Sequence, residues 1–278
     1  MERPLGCPVC GHPMKAQSNW VDRCGECRFL RSSLPAGPGT GIGGLEPLRR
    51  ANFEEILDRV QASRPLAGAR VLEVGSAWGW FLQAAARRGA IVHGIEGERA
   101  NAEKSVADGF SVEHGLFPDD LNDKGPYDFI VFNDVFEHIA KPELLCRKIE
   151  VLLKPGGLLV LNLPTTDGAL FRIASLLARV GVSSPYERVW QKGFASPHVS
   201  MFNHANLVRM VQRHTTLREE MTFPLPCVIR DGLGERVRSS YRGLAATVML
   251  AGLWALTFLL PRLPPDVIVA VFRAPGGK

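Results

Sequence analysis

From Arg70 onward, short apolar runs rich in β-branched residues alternate with longer stretches whose apolar positions recur every three or four residues. Strand-like runs fall at 70–74, 91–95, 111–113, 129–132, 158–163, 217–223 and 267–272. Helical spacing falls at 78–88, 99–107, 142–153 and 205–213. Continuous apolarity over a few residues marks a buried strand, and a 3.6-residue period marks a one-sided helix. Such alternation predicts a parallel, doubly wound α/β sheet. Ahead of it, Leu48, Phe53, Ile56, Leu57 and Val60 share one face of a predicted helix over 48–62, which should pack on the domain before its first strand. Pro155-Gly-Gly157 is expected to end the helix preceding the fifth strand.

The first strand–turn–helix unit carries the clearest chemistry. The run VLEV (71–74) enters a small-residue turn, Gly75-Ser-Ala-Trp-Gly79, and the next apolar run ends on Glu96. A carboxylate about 20 residues past the first glycine is the layout of a nucleotide pocket at the C-terminal edge of a parallel sheet. Gly75 allows the backbone to turn tightly and approach a ligand, because no Cβ stands in the way. Glu96 is suited to accept hydrogen bonds from two ribose hydroxyls.

Two CxxC knuckles, Cys7-Pro-Val-Cys10 and Cys24-Gly-Glu-Cys27, flank a segment with the makings of a short hairpin. Four thiolates at this spacing suit one tetrahedral Zn²⁺, and a closed four-sulfur site is structural rather than catalytic. The predicted organisation is a zinc ribbon over 1–31, a Gly/Pro-rich linker over 32–47 and a catalytic domain over 48–278. In the linker, Gly39, Gly41 and Gly44 satisfy GxGxxG, but no strand precedes them, so a phosphate loop is not expected.

The 278 residues suit one good-sized domain with a small appendage, and 46% hydrophobic with 22% charged residues suit a folded globular chain. A net charge of +5 without a basic stripe gives no expectation of nucleic acid. Arg230, Arg236, Arg238 and Arg242 read as a solvated basic edge. No apolar leader follows Met1, so the expected compartment is cytoplasmic, with membrane association as the further option. The most apolar run, 244–260, is borderline in length for a bilayer span. Spanning is disfavoured because the strand at 267–272 must return to the sheet. The run is expected to lie in a membrane interface or cover an apolar substrate, or else to be a buried or dimerising helix. Cys146 and Cys227 read as buried thiols, Trp78 and Trp80 as packing or pocket-lining residues, and Asp134 as a pocket acid or a helix N-cap, with the cap preferred.

The turn at Glu73-x-Gly75-x-Ala77-x-Gly79 resembles motif I of class I S-adenosylmethionine (SAM)-dependent methyltransferases. Three later segments resemble the UbiG-like, methyltransferase-23 branch: Tyr127–His138 running on to Pro142, the LKPGG turn at 153–157, and Pro197-His-Val-Ser-Met-Phe202. The resemblance covers about 66–223 in order. It implies a seven-stranded Rossmann-like sheet of order 3-2-1-4-5-7-6 with an antiparallel last strand. It also implies a methionine-side loop of Glu73, Gly75, Ala77 and Gly79, a ribose held by Glu96, and an adenine flanked by Leu116 and Phe117. Asp119 or Asp120 would reach the adenine amino group, and Asn133 would sit near the transferring methyl. Ala77 stands where the family often has a glycine.

Methyl transfer to a hydroxyl needs a base, and His138 and His198 are the candidates. The expected function is SAM-dependent methylation, at oxygen, of a small-molecule, lipid- or glycan-linked acceptor. The alternatives are ribosomal or other RNA base methylation, with the zinc ribbon touching RNA, and a catalytically silent scaffold.

Overall fold

The computed structural model describes residues 6–37, 39, 45–238 and 241–276. A three-stranded antiparallel ribbon comes first: β1 (Met14–Ala16), β2 (Val21–Cys24) and β3 (Leu30–Ser32). Helix α1 (Glu46–Ser63) follows, and then the alternating units: β4 (Arg70–Val74), α2 (Trp80–Arg87), β5 (Ile91–Glu96), α3 (Arg99–Ala107), β6 (Ser111–His114), β7 (Tyr127–Asn133), α4 (Pro142–Leu152) and β8 (Leu153–Pro164). The chain continues through α5 (Ala169–Arg179), α6 (Ser184–Val189), β9 (Ser200–Met201), α7 (His204–His214), β10 (Arg218–Leu225), α8 (Leu233–Arg238), α9 (Gly243–Leu259) and β11 (Val267–Arg273).

The large sheet has seven strands in the order β6-β5-β4-β7-β8-β11-β10. Numbered within that sheet, this is the expected 3-2-1-4-5-7-6, and β11 runs antiparallel to both neighbours. Period-two alternation explains how it is filled. Ile130, Phe132, Leu159, Leu161, Ala270 and Phe272 face a layer with α4 and α7, whereas Phe129, Val131, Leu158, Val160, Val269 and Val271 face α1 and α2.

Three expectations need correcting. Pro155-Gly-Gly157 does not cap a helix: α4 stops at Leu152, and the turn is a bulged excursion within β8, with Gly156 at φ +70°. Ser32 is not linker, because it lies in β3, and Glu46 already belongs to α1; Gly41 and Gly44 lie outside the described residues. The cysteine ribbon is also not a tethered module. β3 pairs with β9 from the catalytic part of the chain, Leu30 opposite Met201 and Arg31 opposite Ser200. Cys7, Val9, Cys10, Cys24 and Phe29 share one core with Leu207, Met210 and Val211 of α7.

Candidate active site

The C-terminal ends of β4, β5 and β7 open on a cavity of ≈ 550 Å³. The loop after β4 forms one wall. Gly75 has φ +72°, and a Cβ there would stand 2.5 Å from a methyl of Val135, so glycine is required on both counts. Ala77 also takes a left-handed conformation (φ +45°), and Glu96 holds it: the Ala77 N–H donates to Glu96 Oε2 (2.7 Å) and the Glu98 N–H to Oε1 (2.8 Å). Each carboxylate oxygen keeps a further lone pair for a ligand hydroxyl. Gly79 lines no part of this cavity. It closes the turn before α2 at φ +72°, with Ser105 behind it.

Glu73 is fully buried beneath the loop. Asn133 Nδ2 donates to its Oε1 (2.9 Å), and its Oε2 has no partner. Burial, opposed by the Asn133 hydrogen bond and reinforced by nearby Glu96, pushes its carboxyl up to about 8. Burial also raises Glu96. Two acids disfavoured as anions along one wall make a site that gains when a cationic ligand enters. Leu116 and Phe117 line the far end; Phe117 packs edge-on against Phe132, and Leu116 is exposed. Asp119 and Asp120 do not line the cavity, and Asp120 is occupied by the Leu116 N–H at 2.8 Å.

The opposite end gathers residues from distant segments. His138 lies in a 3-10 turn, Phe136–His138, directly after β7. Its Nδ1 meets the Pro197 carbonyl at 2.9 Å; a carbonyl only accepts, so Nδ1 carries the proton and Nε2 is the basic nitrogen. Burial lowers its pKa, so the ring is neutral at pH 7. His198 stands edge-on, ring centroids 4.8 Å apart, and burial together with His138 brings it down to about 3. Glu137 lies between them, Oε1 3.9 Å from each Nε2, with both oxygens unpartnered and its pKa raised by burial and by Asp134. One atom from each of the three lies within 4.8 Å of the others, a spacing that a divalent cation could also bridge.

Several wall residues take roles other than the ones preferred from the sequence. Asp134 is no N-cap. At φ +53° it projects into the cavity and faces Arg49 of α1 at 3.5 Å. Helix α1, expected only to pack, supplies Leu48, Arg49, Asn52 and Phe53 to the wall. Arg236 is not a solvated edge: it is turned inward on the cavity, donates to the Cys227 carbonyl, and burial lowers its pKa. Cys227 likewise lines the cavity, while Cys146 is buried as expected. The rings of Trp78 and Trp80 stack at 4.7 Å along the rim.

The four knuckle cysteines also converge. Cys7 and Cys27 sulfurs are 3.5 Å apart, Cys10 and Cys24 sulfurs 3.4 Å, and all four lie within 4.8 Å of one another. A tetrahedral ion with Zn–S bonds of about 2.3 Å holds its sulfurs roughly 3.8 Å apart, so the set fits zinc. The ribbon reaches the cavity as well: Ser32 Oγ donates to the His198 carbonyl (2.9 Å) and the Ser32 N–H to the Val199 carbonyl (2.9 Å).

Comparison with known proteins agrees with this fold. A family described as "Methyltransferase domain" matches residues 48–214, more than half of the chain. The chain is 34% identical over 122 residues to a ubiquinone biosynthesis O-methyltransferase of Ralstonia nicotianae, covering 41% of this chain and 48% of that protein. It is 27% identical over 167 residues to the protein of the same name from Maricaulis maris, covering 58% and 61%. The chain thus spans about half the length of the curated relatives it matches. In fold it is similar to magnesium protoporphyrin IX methyltransferase of Synechocystis, solved with bound SAH, with a TM-score of 0.55, 11% identity, and coverage of 86% of this chain and 90% of that one.

Proposed function

Since the chain belongs to the SAM-dependent methyltransferase family that its residues 48–214 match, we propose that it methylates a hydroxyl oxygen of a small, largely apolar acceptor, lipid-linked or quinone-like. In this reading Glu96 holds the ribose, and Glu73, Gly75, Ala77 and Asn133 surround the methionine end. Leu116 and Phe117 flank the adenine, and Gly79 shapes the loop from behind. The cofactor supplies an electrophilic methyl on a sulfonium. The protein contributes alignment, and also the removal of one proton.

His138 is the base we assign to that proton. The carrying observation is its tautomer: in a ring that lines the cavity, Nδ1–H is committed to the Pro197 carbonyl, which leaves Nε2 as the basic nitrogen. His198, more buried and held lower still, braces the His138 ring through their edge contact. Burial and nearby Asp134 disfavour the anion of Glu137 beside them. The names of the curated relatives support oxygen as the methylated atom and a small molecule as acceptor; they do not favour RNA. We also propose a structural zinc ion on Cys7, Cys10, Cys24 and Cys27, whose spacing supports it.

The test is transfer from isotopically labelled SAM to a panel of hydroxylated aromatics with and without apolar tails. Label in a phenolic ether with wild type, and loss of about a hundredfold or more in kcat with His138→Ala, is expected for a base of this kind. Label found only on nitrogen or on RNA would overturn the assignment.

A further inference from the structure

Helix α9 with the turn that follows it, Gly243–Arg262, is long and apolar enough to cross a membrane, and none of it is buried. Leu244, Val248, Trp254, Phe258 and Leu259 are among its exposed side chains. The apolar residues are not confined to one stripe, as they are on an ordinary surface helix, so water is a poor solvent for this element from every side. Nothing acidic interrupts it, while Arg238 and Arg242 precede it and Arg262 ends it. The guanidinium of Arg230 lies 3.9 Å from the Phe258 ring centroid and 5.1 Å from that of Trp254, and its Nε donates to Thr257 Oγ1. Aromatic rings under an arginine are the side chains that settle where lipid tails meet headgroups.

The sheet fixes how the helix can meet lipid. Val267 is paired with Pro164 inside the sheet, so the chain must return from Arg262 within five residues. Five residues reach at most about 18 Å, against a hydrocarbon layer of about 30 Å. Both ends therefore stay on one side, and the helix does not cross. The cavity opens at this same end of the molecule: its wall includes Pro226 just after β10, Arg236 of α8, and Pro164 and Val267 where the chain leaves α9 for the sheet.

We infer that α9 embeds in the outer layer of an anionic bilayer, with the flanking arginines on acidic headgroups, so that the acceptor side of the cavity faces the lipid. That an apolar acceptor enters from the membrane rests on the methyl-transfer reading above. The docking itself does not.

Flotation of the full chain with phosphatidylcholine vesicles containing phosphatidylglycerol tests it. Wild type is expected to float with anionic vesicles, to do so less as salt rises, and to float at least fivefold less with phosphatidylcholine alone. Val248→Asp with Leu259→Asp changes two exposed side chains and should lower the vesicle-bound fraction about tenfold, while SAM titration reports that the fold is intact. Wild type remaining unbound at low salt would overturn the inference. So would a concentration-dependent dimer, undone by the same two substitutions, with no vesicle binding, because the helix face would then join two copies. Absence of SAM binding with flotation retained would defeat the methyl-transfer reading and leave the docking standing.

Discussion

The two ends of the cavity are built in different ways. The donor end comes from three adjacent parallel strands and the short turns that follow them, with Glu73, Gly75 and Glu96 separated by little sequence. The acceptor end is assembled from α1, the 3-10 turn after β7, the segment 191–198 and α8, and its backbone is tied to the cysteine ribbon through Ser32. A local site survives damage elsewhere in the chain. An assembled site depends on every element that braces it.

Removing the zinc ion proposed for the ribbon should separate the two ends most. Cys10→Ser with Cys24→Ser, or a strong chelator, is expected to remove one zinc per chain by elemental analysis. Turnover should fall by more than a hundredfold, while SAM affinity changes less than about threefold, because β3 no longer holds β9 and His198. Equal losses at both ends would show that the ribbon supports the whole fold.

Replacing His138 by alanine comes next, with kcat down about a hundredfold and SAM affinity unchanged. Because burial lowers the His138 pKa and the neutral ring is the active form, wild-type kcat should hold through pH 7 and fall only at pH values below the ordinary histidine range, near 6.5. Chelator-sensitive turnover restored by a divalent cation, with the cysteine zinc intact, would instead make Glu137, His138 and His198 a metal site.

The donor end should respond to pH in the opposite part of the range. Glu73 is raised to about 8, and a sulfonium or ammonium beside it favours its anion. Binding then releases a proton, and SAM affinity should rise between pH 6 and 8, by up to about tenfold per unit. Calorimetry in buffers of different ionisation heat would detect the proton.

The smallest effect concerns stability. His198 folds neutral with its pKa at about 3, so the unfolded chain binds the extra proton below about 6.5. Stability should therefore fall as pH drops through that window, by up to about 1.4 kcal/mol per pH unit. His198→Leu should flatten this slope in denaturant titrations from pH 6.5 to 4.5.

The same contrast explains what could be read from the sequence. Inner strands buried on both faces leave continuous apolar runs and were legible as strands, whereas their order in the sheet was implied by the resemblance to the methyltransferase family and not by the pattern. The donor end was legible because its glycines and Glu96 are close in sequence and each answers one local constraint. For Asp134 the cap was preferred over the pocket acid because a left-handed residue at a strand end leaves no periodic trace. Arg49 and Arg236 carry ordinary charges, and only the packing of α1 and α8 turns them inward. The β3–β9 pairing rests on two residues, Ser200 and Met201, too short a strand to signal a partner so far away in the chain. Helix α5 was missed although its pattern was legible, with Arg172, Ser175 and Arg179 recurring on one face opposite buried Phe171 and Ala174.

The central claim is that the glycine turn and Glu96 form a SAM site, and titration calorimetry with SAM on wild type and Glu96→Ala tests it most directly. One site per chain is expected for wild type, with at least tenfold weaker binding for the variant, about 1.4 kcal/mol. No binding heat from folded wild type, or equal affinity in the two proteins, would contradict it.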